Sequence, residues 1–184
     1  MDMNKLTEKA QEAIANAQRD AEQRHNTQLE PEHLLNALVD QPAGVVPALL
    51  DKLGVSTGNV KQRITTQLNR FARADAPQQV YASPRFRRLF ETAQQEADQL
   101  KDDFVSTEHF LLAMLDEPIF GELGITRNKA LQALQEVRGN QRVTSQNPES
   151  TWMVRRISSS RPITGSSLPL RAMVVRSRPY FSRD

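Results

Sequence analysis

Apolar residues recur at three- and four-residue spacing through most of the first 138 positions, the period of a helix with one buried face. Leu6, Ala10, Ala13, Ile14, Ala17 and Ala21 form the first such stripe, with polar residues between them. Thr7 followed by Glu8 suits the start of that helix, because a hydroxyl there accepts an amide proton that has no partner inside the helix. A second helix is predicted over 30–39, with Pro31 in the first turn, where its missing N–H costs nothing. A third spans 45–53 and ends on Gly54, and a fourth spans 56–71 with Val60, Ile64, Leu68 and Phe71 along one face. No run sustains the two-residue alternation of a half-buried strand. The fold class is all-α.

After a connector at 72–82 the opening pattern returns. A shift of 76 residues lays Thr7 on Ser83, Ala17-Gln18 on Ala93-Gln94, and Ala21 on Ala97. It also lays Glu32-His33-Leu34-Leu35 on Glu108-His109-Phe110-Leu111, and Asp40-Gln41-Pro42 on Asp116-Glu117-Pro118. Beyond a six-residue deletion, Leu53-Gly54-Val55-Ser56 matches Leu123-Gly124-Ile125-Thr126. So many matches in one register mark a tandem duplication of a four-helix unit, one copy at about 1–71 and the other at about 83–138. The deletion falls between Pro118 and Leu123, where the first copy has its third helix, and only Ile119, Phe120 and Glu122 remain to form a wall. It is expected to leave a gap in the second copy's core, unless its neighbours collapse into the space, and to make that half the less stable one.

Composition changes the picture at the far end. The 184 residues are 38% hydrophobic and 25% charged, as in a soluble globular protein with a real core. The net charge of +2 is unevenly placed. Residues 151–184 carry seven arginines, no lysine and one acid, while 1–150 hold 17 basic and 21 acidic residues and stand at −4. A basic balance that comes from one irregular tail argues against a nucleic-acid-binding domain. Residues 139–150 are polar and aperiodic and read as a linker, and the serine- and arginine-rich 151–184 reads as a poorly packed or disordered tail. The absence of cysteine excludes disulfides, thiolate metal sites and a cysteine nucleophile. No apolar stretch approaches a membrane span and the opening residues lack a signal-peptide core, so a soluble cytoplasmic chain is expected.

The chemistry of catalysis is missing. There is no phosphate-binding G-x-x-x-x-G-K-[ST] loop and no G-x-S-x-G elbow. His33 and His109 occupy equivalent repeat positions, each after a glutamate. They could mark paired acid–base or metal sites, but neither has a second ligand four residues on, which favours a helix-start residue that caps or packs. No enzyme activity, cofactor or metal is expected.

The segments LTEKAQEAIANAQ, LEPEHLLNALVDQP and FVSTEHFLLAMLDEP together resemble the Clp N-terminal (Clp R) repeat domain. LQEVRGNQRVTSQNPEST (134–151) is similar to the corresponding region of the ClpB disaggregase chaperones. The resemblance covers about 1–151 and implies a module that recognises unfolded or aggregated protein and passes it to an ATP-driven ring. It implies substrate contact at Thr7, Asp102 and Glu108, with Asp103 the neighbour of Asp102 in a shifted alignment. An exposed hydroxyl and two carboxylates beside apolar side chains would make a shallow site for basic and hydrophobic extended peptides. Thr7 and Glu108 also suit the starts of helices, and the two roles are compatible. A stand-alone adaptor that binds a folded Clp-family ring or adaptor is the second reading. Neither reading involves a membrane or nucleic acid, and the chain is expected to be a monomer. The family-like sequence gives way near Thr151, where a ClpB chain would continue toward its ATPase, so a truncated chain with a frameshifted tail is the favoured expectation for 151–184, the alternative being a genuine basic tail for an acidic partner or RNA.

Overall fold

A computed structural model describes residues 2–76 and 79–148. The tail expected at 151–184 lies outside these residues. Within them the chain forms eight α-helices: α1 (Glu8–Gln23), α2 (Pro31–Asp40), α3 (Val45–Lys52), α4 (Thr57–Leu68), α5 (Pro84–Gln99), α6 (Thr107–Ala113), α7 (Pro118–Glu122) and α8 (Arg127–Arg138). The first stripe is buried as the spacing predicts, from Ala10 to Ala21 along α1. The fourth helix stops short of the predicted end, and Phe71 instead packs its ring 5.8 Å from that of His33.

The duplication is visible atom by atom. Thr7 Oγ1 accepts the Ala10 N–H at 3.2 Å to start α1, and Ser83 Oγ accepts the Phe86 N–H at 3.0 Å to start α5. His33 Nδ1 accepts the Glu30 N–H at 3.0 Å and His109 Nδ1 accepts the Ser106 N–H at 2.9 Å, each at the head of the next helix. The chain leaves α1 through His25 and α5 through Lys101, both at positive φ.

The copies exchange pairings across a local two-fold. Leu6 bridges Val105, while strand β1 (Gln28–Leu29) runs parallel to β2 (Tyr81–Ala82), with Leu29 opposite Ala82. In repeat register these are one contact made twice: Thr7 N–H donates to Val105 O, and Ser83 N–H donates to Leu29 O, both at 3.0 Å. These two-residue strands are the small β content that the periodicity did not predict. Arg85 reinforces the junction by reaching Glu32 and Glu117 at 2.9 Å and Glu30 at 3.4 Å.

The deletion does not open the second copy's core as expected. Ile119 and Phe120 of the short α7 are buried, and α3 of the first copy packs across onto α6 and α8. An open recess of about 420 Å³ lies along α4, lined by Asn59, Gln62, Arg63, Thr66 and Leu123. Its polar lining, bridged by the Arg63–Glu122 ion pair, suits exposure to water.

Residues 139–148 are not a free linker. The chain turns at Gly139 (φ +67°), runs back along the body and inserts Val143, which is fully buried. Val143 O accepts the Asp103 N–H at 2.9 Å, and Gln146 O accepts the Glu8 N–H at 2.7 Å in the first turn of α1. This strap therefore belongs to the folded body.

Candidate binding site

The residues singled out from the sequence gather around segment 102–108, but they are buried. Thr7 and Glu108 are fully inaccessible and Asp102 is 7% exposed, which overturns the picture of an exposed shallow site. The physical reason is their place in the fold. Thr7 caps α1 at the seam between copies, its own N–H held by Val105 O. Asp102 follows the turn out of α5, and Glu108 lies in the first turn of α6.

Asp102 is the hub. Its Oδ2 accepts from His109 Nε2 at 2.9 Å and from Arg138 Nη1 at 2.7 Å, and its Oδ1 accepts the Val143 N–H at 2.7 Å. With Nδ1 of His109 taken as an acceptor by the Ser106 N–H, the ring proton sits on Nε2 and points at Asp102. Burial pushes the Asp102 carboxyl up, but the bonds from His109, Val143 and Arg138 outweigh it and hold its pKa below the ordinary value. Arg138 reaches on to Glu108 Oε1 at 3.3 Å. Glu108 Oε2 and the Thr107 hydroxyl are buried without a hydrogen-bond partner.

The first copy shows the neutral version of this seat. Asn26 stands where Asp102 stands; its Oδ1 accepts from His33 Nε2 at 3.0 Å and its Nδ2 donates to Ala72 O at 3.2 Å. Both ring nitrogens of each histidine are thus engaged, which resolves the repeated Glu-His pair as a capping device. Burial holds His33 neutral by pushing its pKa below the ordinary histidine value.

Sequence reasoning missed Arg138 and Val143. A signal for Arg138 was present: it falls four residues after buried Leu134 on the apolar face of α8, at the position that Leu68 fills in the first copy. A charge in an apolar register needs a buried counter-charge.

Beside the hub an open groove of about 360 Å³ runs along α8, with Leu100, Leu131 and Leu134 on its wall and Arg138 and Arg142 at the root of the strap. Arg142 donates to Asp103 Oδ1 at 3.1 Å and to the Lys101 carbonyl. The leucine wall can hold apolar side chains of a peptide. Among the described residues no helix is long and apolar enough to cross a membrane.

Comparison with known proteins bears on what this arrangement is. The sequence profile of the Clp repeat (R) N-terminal domain matches residues 5–124. A chaperone protein ClpB from Bdellovibrio bacteriovorus is 38% identical over 156 residues, covering 81% of this chain and 18% of that protein, so the chain spans less than a fifth of its relative's length. Among solved structures, the Hsp104 N-terminal domain from Candida albicans superposes with a TM-score of 0.70 at 27% identity, covering 78% of this chain and 98% of that one. A ClpV N-domain solved in complex with a VipB peptide shares the fold at 22% identity and a TM-score of 0.56, covering 73% of this chain and 79% of that one. The duplicated helical body, the shared seam and the profile agree: the chain belongs to the Clp repeat (R) N-terminal domain family.

Proposed function

We propose that the chain is a protein-binding module of Clp/ClpB type that recognises unfolded or aggregated polypeptide and has no ATPase or unfoldase activity of its own. The observation that carries the reading is the open groove along α8, whose wall of Leu100, Leu131 and Leu134 offers apolar surface beside Gln135 and Asn140. An unfolded chain offers what such a groove takes: apolar side chains on an extended backbone. The ClpV relative with a bound peptide supports it. Thr7, Asp102 and Glu108 contribute in this reading by holding the floor of the site, Thr7 through the start of α1 and the carboxylates through Arg138. Each contact can be weak, because an aggregate presents many at once.

Titration of the full chain with a chemically unfolded, non-refolding protein tests this. Saturable binding that perturbs the resonances of Leu131, Leu134 and Arg138 is expected. No binding to unfolded protein, together with a stable one-to-one complex with a folded Clp ring or adaptor, would replace it with the adaptor reading.

A further inference from the structure

Residues 139–148 have the chemistry of an occupant. The segment buries a small aliphatic side chain, Val143, and carries an arginine before it that pairs with Asp103. Its backbone is held as a partner strand would be, by Asp103 N–H to Val143 O and Val143 N–H to Asp102 Oδ1. Beyond Val143, Thr144, Ser145, Gln146 and Asn147 are exposed, Pro148 is buried, and the far end is held by Glu8 N–H to Gln146 O, Gln146 to Asn4 O and Asn147 to Glu8.

We propose that this strap occupies a peptide-binding seat in cis, and that an extended peptide with an arginine followed by a small aliphatic residue displaces it. The inference rests on the protein-binding reading above and names the site and the sequence class that it takes. Three further observations support it. The strap's bed is continuous, through Arg138, with the open leucine groove, so an incoming chain can engage Leu131 and Leu134 before the strap lifts. When Arg142 leaves, Asp103 loses its guanidinium partner, so the vacated seat offers a carboxylate to a replacement cation. Glu108 Oε2, one link away through Arg138, is a buried acceptor with no partner to lose.

The first copy supplies the contrast. There the chain leaving α4 pairs in the same way, with Arg73 bridging Asn26 and Ala74 N–H donating to His25 O at 2.8 Å. That segment is tethered on both sides, because buried Val80 and the β2 pairing anchor the chain on its far side. Its seat is also neutral. Among the described residues, the second copy's seat is the charged one of the two, with Asp102 where the first copy has Asn26.

A seat that is filled in cis weakens binding in trans by the fraction of time it is open. The chain has no cysteine, so Thr144→Cys accepts a single environment-sensitive fluorophore on the strap. The probe is an unstructured peptide of repeated Arg-Val pairs, with a Glu-Val peptide as control, added to the full chain. The strap signal is expected to change with the same midpoint as peptide anisotropy, and Val143→Gly is expected to bind about tenfold tighter. Arg142→Ala, which removes only exposed contacts, carries the comparison where circular dichroism shows Val143→Gly unfolded. Peptide binding with an unchanged strap signal, or no gain in the weakened-strap variant, overturns the displacement and leaves the protein-binding reading standing. No binding of the Arg-Val peptide or of an unfolded protein overturns both.

Discussion

Arg138 is the residue on which the buried charges depend. It is 8% exposed and faces two carboxylates that are wholly inside. Removing one member of such a cluster leaves the others uncompensated, so Arg138→Ala should cost about 3–5 kcal/mol, measurable by urea unfolding. Two acid-sensitive groups should separate by pH. The unfolded chain protonates His33 near 6.5 and the folded one only at lower pH, so stability falls as pH drops below about 6.5. Asp102 behaves likewise from about 3.8 downward, because its folded pKa is also depressed. In a series of urea midpoints against pH, His33→Gln should flatten the upper limb and Asp102→Asn the lower one. If both variants keep both limbs, the assigned groups are wrong. The caps at Thr7 and Ser83 were legible in the sequence, because a hydroxyl before a helix has few other uses. The burial of Asp102 and Glu108 was not, since a carboxylate reads as surface until the arginine that neutralises it, 30 or more positions away, is placed beside it.

Helix boundaries follow from periodicity, and errors arise where partners come from far along the chain. Periodicity carries the fourth helix through Phe71 because Phe71 keeps the apolar spacing, but its ring is used against His33 after the helix has ended. The strap reads as a linker because one valine in ten polar residues makes no pattern. The deletion points to a hole because repeat logic assigns each helix to its own copy, and α3 does not obey it. Since α3 backs both α6 and α8, amide exchange in α6 and α8 should be as slow as in α1 and α2. Faster exchange confined to the second copy would restore the idea of a gap. Phe120, fully buried on a helix of five residues, should be costly to truncate: Phe120→Ala is expected to lose about 3–5 kcal/mol in thermal or urea unfolding.

For the molecule as a whole, the seam makes the two copies one folding unit. Leu6 with Val105 and Leu29 with Ala82 are backbone pairings that neither copy can satisfy alone. An isolated first copy, residues 1–76, is therefore expected to be unfolded when dilute and to pair with itself at high concentration, as sedimentation would show. A cooperatively folded monomer of that fragment would mean that the seam is dispensable.

The reciprocal seam also carries a history. Matched contacts across a two-fold are what a homodimer becomes when its subunits are joined into one polypeptide. In a homodimer every substitution appears twice, so a charged residue placed at one seat is placed at both. Fusion removes that constraint. Within one chain the two seats can differ, and they do: Asn26 stands opposite His33 where Asp102 stands opposite His109, and Leu68 occupies the position that Arg138 takes in the second copy.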